Sequence, residues 1–181
     1  MPDLEELYRE IILDHYRSPR NRGELASPPA HRVEGFNPLC GDEVVLTLVV
    51  EDGTLADIKV GGTGCSISQS SASLMSAAVK GRPLADVEHL ISTFKGMMSI
   101  HQASLAEEAE GEEPGTAADH GNGLAPGPET LPGEPEQVDP EELGELAALQ
   151  GVVKFPVRIK CATLSWNALA QGLDELGVRS A

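Results

Sequence analysis

Two adjacent segments of the chain predict a β-hairpin, and this hairpin restricts the folds that the sequence can adopt. Residues 44–50 are an apolar run rich in valine, and residues 55–60 form a second strand-like run shortly after it. The pair Asp52-Gly53 lies between the two runs, where it suits a tight hairpin turn. Residues 31–36 predict an additional strand before the hairpin. The sequence therefore predicts a small sheet with an antiparallel hairpin in it.

One short motif that contains a cysteine precedes this hairpin in the sequence, and another follows it. Residues 37–42, with the sequence NPLCGD, precede the long strand, and residues 61–66, with the sequence GGTGCS, follow the return strand. An antiparallel pair places the start of one strand beside the end of the next. We therefore expect Cys40 and Cys65 to lie close together in space.

Segments with helical periodicity surround the predicted sheet. Apolar residues recur with the helical period in residues 3–17, and similar patterns predict several further helices. These are expected from Ser66 or Ser68 to about Lys80, from Leu84 to about Met98, over residues 139–149, and from near Lys160 onward. Strands that are grouped together, with helices before and after them, indicate an α+β fold.

The charge of the chain is concentrated in one segment. The formal net charge is −16, yet 13 of the 29 acidic residues fall between Lys95 and Lys154, where no lysine or arginine occurs. Residues 106–138 are rich in proline, glycine and glutamate and contain no aromatic residue, which is typical of a disordered insertion. We therefore predict a single domain over residues 1–181 that contains an acidic insertion at 106–138.

Composition also argues against two classes of partner. Clustered positive charge, which a nucleic-acid-binding surface needs, is not found, so no nucleic-acid partner is expected. The sequence contains no run of about 18 apolar residues, the length needed to span a membrane. The acidic N-terminal segment does not resemble a secretory signal. We expect a cytoplasmic protein without a membrane partner.

Three cysteines and one carboxylate are candidates for a shared metal site: Cys40, Asp42, Cys65 and Cys161. Zinc binds four ligands in a tetrahedron, and three thiolates with one oxygen ligand suit it. A buried cysteine without a ligand role remains an alternative for each of the three. His15 lies on the apolar face of the first helix and is predicted to be a packed core residue.

Four segments resemble the SufU branch of the NifU/IscU family: LYREIILDHYRSPRNRG, NPLCGDEVVLTL, GTGCSISQSSASLMSAAVKG and LQGVVKFPVRIKCATLSWNAL. The resemblance covers roughly residues 4–98 and 146–175. It implies a two-layer α+β fold in which helices pack on one face of a three-stranded antiparallel sheet. It also implies that Cys40, Asp42, Cys65 and Cys161 bind zinc.

The same resemblance implies a function. SufU-type proteins accept persulfide sulfur from a cysteine desulfurase of the SufS type, a pyridoxal phosphate enzyme, and pass it toward the scaffold complex of the SUF system. Cys40 would be the sulfur acceptor of this sulfurtransferase, with Arg158 and Lys160 in support. Lys160 stands where IscU-type scaffolds usually have histidine. Two alternatives remain: a scaffold that binds a [2Fe–2S] cluster or iron, and a purely structural zinc module.

Overall fold

Three strands form one antiparallel sheet in the order β1-β2-β3. The computed structural model describes residues 3–109 and 140–178. The strands are β1 (His31–Asn37), β2 (Asp42–Glu51) and β3 (Thr54–Thr63). Asp52 and Gly53 form the turn between β2 and β3, and both have positive φ, as a type I′ hairpin turn requires. The prediction of the hairpin, and of a strand before it, is confirmed.

Five α-helices and one 3-10 helix accompany the sheet in the described residues. The α-helices are α1 (Leu4–Arg17), α2 (Ser66–Val79), α3 (Leu84–Ala109), α4 (Pro140–Leu143) and α5 (Pro156–Glu175). The 3-10 helix spans Gly144–Lys154 and links α4 to α5. Among residues 3–109 and 140–178, no helix combines the length and the hydropathy needed to cross a membrane.

Three helix boundaries differ from the prediction. Helix α3 continues to Ala109, because residues 99–109 contain no glycine or proline that would end it. Residues 106–109 of the predicted insertion are therefore helical, and the rest of it lies outside the described residues. Helix α5 begins at Pro156 instead of near Lys160, since proline is favoured in the first helical turn. The segment predicted as one helix over 139–149 is mostly the 3-10 helix.

The helices pack on one face of the sheet, which confirms the α+β architecture. Val44, Leu46 and Leu48 alternate along β2 and belong to the core that includes the buried residues of α5. The backbone of α5 lies so close that a side chain at Gly172 would contact Leu48. Trp166 of α5 stacks on Phe94 of α3, with the ring centres 4.2 Å apart. This contact joins the two helices above the sheet.

The loop between α1 and β1 covers the other side of β2 and the edge of β3. The backbone N–H of Leu25 donates to the hydroxyl of the fully buried Thr47. Asn21 and Gly23 exchange two backbone hydrogen bonds with Val60, of 2.8 and 3.0 Å. The loop thus extends the hydrogen bonding of β3 on the side that no strand occupies.

Candidate metal centre

Cys40 lies in a tight loop that joins β1 to β2. The carbonyl oxygen of Asn37 accepts the N–H of Gly41 at 2.8 Å, and its side-chain oxygen accepts the N–H of Leu39 at 3.2 Å. Gly41 has a φ of +68°, a conformation that glycine adopts without strain. The loop is closed by these two bonds, and it leaves Cys40 exposed to solvent.

Asp42 follows the loop and connects it to the start of α2. Glu43 pairs with Thr63, so the end of β3 lies beside the start of β2. The carboxylate of Asp42 accepts the backbone N–H of Cys65 at 2.8 Å, and its second oxygen lies 3.6 Å from the sulfur of Cys65. Cys65 is the N-cap of α2, and its sulfur accepts the N–H of Ser68. The two motifs are thus in contact through Asp42 and Cys65, while no contact in the described part of the chain joins Cys40 itself to Cys65.

Cys161 reaches the same place from α5. Its side chain is fully buried, and its sulfur lies 3.3 Å from the sulfur of Cys40. The ligand atoms of Cys40, Asp42 and Cys161 all lie within 4.8 Å of one another. Cys65 is outside this group of three but contacts it through Asp42. The sequence predicted that the last helix begins near Lys160, which would place Cys161 in its first turn. Because α5 begins at Pro156, Cys161 lies further inside the helix.

The chemistry of these donors fits zinc, and Cys40, Asp42 and Cys161 lie close enough together to share one ion, whereas Cys65 lies outside that group of three. Two sulfurs on one tetrahedral zinc ion lie about 3.8 Å apart, and a sulfur and an oxygen about 3.5 Å apart. The contact between the sulfurs of Cys40 and Cys161 is 3.3 Å, and that between Asp42 and Cys65 is 3.6 Å. Three thiols and one carboxylate also bind zinc in preference to hard cations such as magnesium.

Without a cation the buried thiol resists ionisation. Burial raises the pKa of Cys161, and its hydrogen bonds to Cys40 and Asp42 and the nearby charge of Cys65 raise it further. The charges of Cys65 and Cys161 in turn raise the pKa of the exposed Arg158. Closely packed thiolates repel one another, so a bound cation would stabilise their charged forms.

Arg158 and Lys160 lie on the first turns of α5, beside the cysteines. The charges of Cys65 and Cys161 act on Arg158, which also lines a groove of about 770 Å³ that runs between α1 and the 3-10 helix to Cys65. Lys160 is exposed, and no ion pair or hydrogen bond joins it to the described part of the chain. Of these two residues, Arg158 is therefore the one whose charge interacts with candidate ligands.

The sequence reasoning missed two features of this region. One is an apolar rim, formed by exposed side chains near Cys40 and at the start of α5: Phe36, Leu39, Phe155 and Val157. The other is Asn37, which is buried and whose amide nitrogen lies 3.8 Å from the sulfur of Cys161. Asparagine before proline is typical of a turn, and no signal in the sequence links Asn37 to a residue of α5.

The described histidines lie apart from the site. His15 is buried, with its Nδ1 2.7 Å from the hydroxyl of Ser73, so its prediction as a core residue is confirmed. His31 pairs with Glu175 and His89 pairs with Glu142, both on the surface. The side chains of His101 and His120 are outside the described part of the structure.

Comparison with known proteins places the chain among assembly proteins for iron–sulfur clusters. The sequence profile of the family "NifU-like N terminal domain" matches residues 7–117. The chain is 38% identical to "Zinc-dependent sulfurtransferase SufU" of Bacillus subtilis, over 94% of this chain and 92% of that protein. It is 34% identical to "Iron-sulfur cluster assembly scaffold protein IscU" of Streptococcus pyogenes, over 94% and 84% of the two chains.

A solved structure supports the same relationship. A protein from Fervidobacterium islandicum, described as a candidate scaffold protein for the SUF system, superposes with a TM-score of 0.66 and 25% identity. The match covers 93% of this chain and 98% of the other. The similarity therefore extends over nearly the whole length of both chains.

Proposed function

Because the chain belongs to the NifU-like N-terminal domain family, we propose that it accepts sulfur from a cysteine desulfurase, with zinc bound, during iron–sulfur cluster assembly. The observation that carries this proposal is the unequal exposure of the clustered ligands. Cys40 is exposed, whereas Asp42 and Cys161 are buried. A partner can reach one thiol of the cluster while the others keep their places.

The proposed transfer is an exchange between sulfur atoms. The thiolate of Cys40 attacks the outer sulfur of a persulfide on the desulfurase. The sulfur–sulfur bond of that persulfide breaks, a new one forms on Cys40, and the desulfurase cysteine leaves as a thiolate. Zinc, when held by Cys40, Asp42, Cys65 and Cys161, would supply the positive charge that keeps the thiols ionised.

Arg158 and Lys160 would support this exchange by their charge. Arg158 interacts electrostatically with Cys65 and Cys161, so its guanidinium would stabilise negative charge beside the transferring sulfur. Lys160 is exposed one residue before Cys161, where it can attract an acidic group of a partner. Both residues would act through electrostatics and not as ligands.

The proposal extends to the partners and the organisation of the chain. The donor is a cysteine desulfurase of the SufS type with pyridoxal phosphate, and the receiver is the scaffold complex of the SUF system. The described free thiols suit the reducing cytoplasm. We treat residues 1–181 as a single domain in which the acidic insertion at 106–138 supplies no metal ligand, since it contains no cysteine.

A scaffold that binds a [2Fe–2S] cluster or iron is the second candidate. The similarity to the protein named IscU from Streptococcus pyogenes favours it. The same thiols could bind iron, because cysteine thiolates are the usual ligands of such clusters. Metal analysis and a visible spectrum after anaerobic purification separate the two, since zinc is colourless and a cluster absorbs visible light.

The central experiment follows sulfur onto individual thiols. The zinc-loaded protein is incubated with desulfurase and free cysteine, and trapped thiols are mapped by mass spectrometry. We expect one added sulfur on the peptide that contains Cys40, and its loss in Cys40→Ser. Sulfur on Cys65 or Cys161 alone would reverse the assignment of the acceptor. No added sulfur on any of the three would leave a scaffold or a structural zinc module.

A further inference from the structure

Asn37 is a buried polar residue at the edge of the metal centre, although it is not a candidate ligand. It ends β1, and only 6% of its surface is exposed. Its side-chain oxygen closes the Cys40 loop through the N–H of Leu39. Its amide nitrogen donates toward the sulfur of Cys161, 3.8 Å away, a separation that the large radius of sulfur permits.

The two ends of this side chain have different chemical requirements. The loop needs only an oxygen that accepts a backbone N–H, and aspartate or serine supplies one equally well. The contact with Cys161 needs a donor, and of these side chains only the amide combines that donor with the loop acceptor at this reach. The amide donor of Asn37 is therefore used by the sulfur on α5 and not by the turn.

A donor beside a buried thiolate has a defined effect. Hydrogen bonds to metal ligands fix the orientation of those ligands, and their loss commonly weakens metal binding by about 10- to 100-fold. The neutral amide carries no charge that could compete for the metal. Asn37 also faces Asp42 across the first pair of the β1–β2 ladder. One residue thus contacts the Cys40 loop, lies opposite Asp42 and reaches Cys161.

We propose that Asn37 is a positioning residue that holds Cys161 and the Cys40 loop in register, so that the metal is retained when Cys40 leaves it. The part that concerns the departure of Cys40 rests on the proposed function. Cys161 is anchored in a packed helix, while Cys40 lies in an exposed loop. The side chain of Asn37, which is not a candidate ligand, joins the two segments by hydrogen bonds: one to Cys161 on α5 and one to Leu39 in the Cys40 loop.

The first test measures zinc affinity by competition with a chromophoric chelator. Asn37→Asp and Asn37→Ser retain an acceptor for the loop and lose the amide donor. We expect each to bind zinc at least 10-fold more weakly than the original chain. Asn21→Asp is the matched control, because Asn21 donates its amide to Ser76 outside the centre. We expect the control to stay within about twofold, and affinity within twofold in Asn37→Ser would overturn the proposal.

A second measurement separates positioning from a general structural role. Cobalt(II) replaces zinc, and the sulfur-to-cobalt charge-transfer band reports electron density on the thiolates. Loss of the donor to Cys161 should move the band of Asn37→Ser to longer wavelength, with no shift in Asn21→Asp. Weaker binding with an unshifted band would show that Asn37 stabilises only the fold. Circular dichroism of both Asn37 variants establishes that the compared proteins are folded.

A double-variant cycle tests the coupling to Cys40. In Cys40→Ser the metal depends on the remaining ligands, so removing the amide should then weaken zinc binding by more than the product of the two single effects. A purely multiplicative loss would refute the coupling. These outcomes do not depend on sulfur transfer, whereas the proposed function fails only when no sulfur reaches Cys40 of the original chain.

Discussion

The carboxylate of Asp42 accepts the backbone N–H of Cys65 at 2.8 Å, which ties the start of β2 to the start of α2. One oxygen of this buried carboxylate is therefore engaged with the backbone, while the other lies 3.6 Å from the sulfur of Cys65. A metal at this site would be bound by a carboxylate whose orientation is already fixed. Disturbing the backbone around it should consequently weaken metal binding.

Gly64→Ala tests this relationship. A methyl group at Gly64 would lie 2.8 Å from the Asp42 carboxylate and 2.9 Å from the hydroxyl of Ser68, closer than real contacts allow. We expect the carboxylate to move, with zinc affinity at least 10-fold lower and a lower melting temperature. Gly96→Ala is the control, since its methyl group meets nothing within 4 Å and should stabilise α3 by up to about 1 kcal/mol. Equal zinc affinity in the two variants would contradict the prediction.

Removing the metal should loosen the whole domain. The candidate ligands come from the β1–β2 loop, the start of β2, the start of α2 and the interior of α5. Because a structural zinc site can contribute on the order of 10 kcal/mol to folding, chelation should lower the melting temperature markedly. Calorimetry before and after chelation, with zinc restored as the control, measures this. An unchanged melting temperature would mean that the cysteines do not hold a structural metal.

Arg158→Gln should slow sulfur transfer without removing the metal. Its guanidinium interacts electrostatically with Cys65 and Cys161 but offers no metal ligand. The rate at which Cys40 gains sulfur should fall several-fold, while zinc content stays unchanged. Arg82→Gln serves as the control, because Arg82 bonds to Leu55 at the opposite end of the hairpin. Equal transfer rates in the two variants would show that Arg158 is an ordinary surface residue with no role in sulfur transfer.

His15 should make the fold sensitive to acid. Burial lowers its pKa below the ordinary 6.5, although the hydrogen bond to Glu145 partly opposes this shift. The unfolded chain therefore takes up the proton first, and stability is lost as the pH falls below about 6.5. Urea unfolding at pH 5.5 and 7.5 should show a larger loss in the original chain than in His15→Gln. Parallel losses would indicate that other groups dominate the acid response.

Deleting residues 110–138 should leave the metal centre intact. This segment contains no cysteine, and loop length changes the entropy of closure only slowly. We expect zinc affinity and sulfur acceptance by Cys40 to remain within about twofold of the full chain. If the deletion variant no longer stimulates turnover of the desulfurase while its zinc binding is unchanged, the acidic segment is a docking element.

Local patterns predicted the sheet well because they are short-range. The valine-rich run and Asp52-Gly53 determine a hairpin between segments that are adjacent in the sequence. The end of α3 and the start of α5 were harder to predict, since helix ends depend on small differences in propensity. The 3-10 helix at Gly144–Lys154 is packed by Leu146, Leu149 and Val152, and a helical apolar pattern alone does not distinguish it from an α-helix.

Prediction of the site succeeded only in part. Hairpin geometry places the motifs of Asp42 and Cys65 together, and this could be deduced from the order of the strands. The position of Cys161 depends on how α5 crosses the sheet, which no local pattern specifies. Its residue type made it a candidate, and the resemblance implied its role as a ligand. Asn37 was missed for the same reason, because its partner lies 124 residues away.

The pairing of the α1–β1 loop with Val60 has a consequence for self-association. A three-stranded sheet has two outer strands, and unpaired backbone groups on an outer strand can template the addition of another chain. The hydrogen bonds from Asn21 and Gly23 occupy the backbone of Val60 in the middle of β3. Growth of the sheet by edge-to-edge addition is therefore hindered at this point of β3. Among the described strands, β1 is the other outer strand to which a further chain could be added.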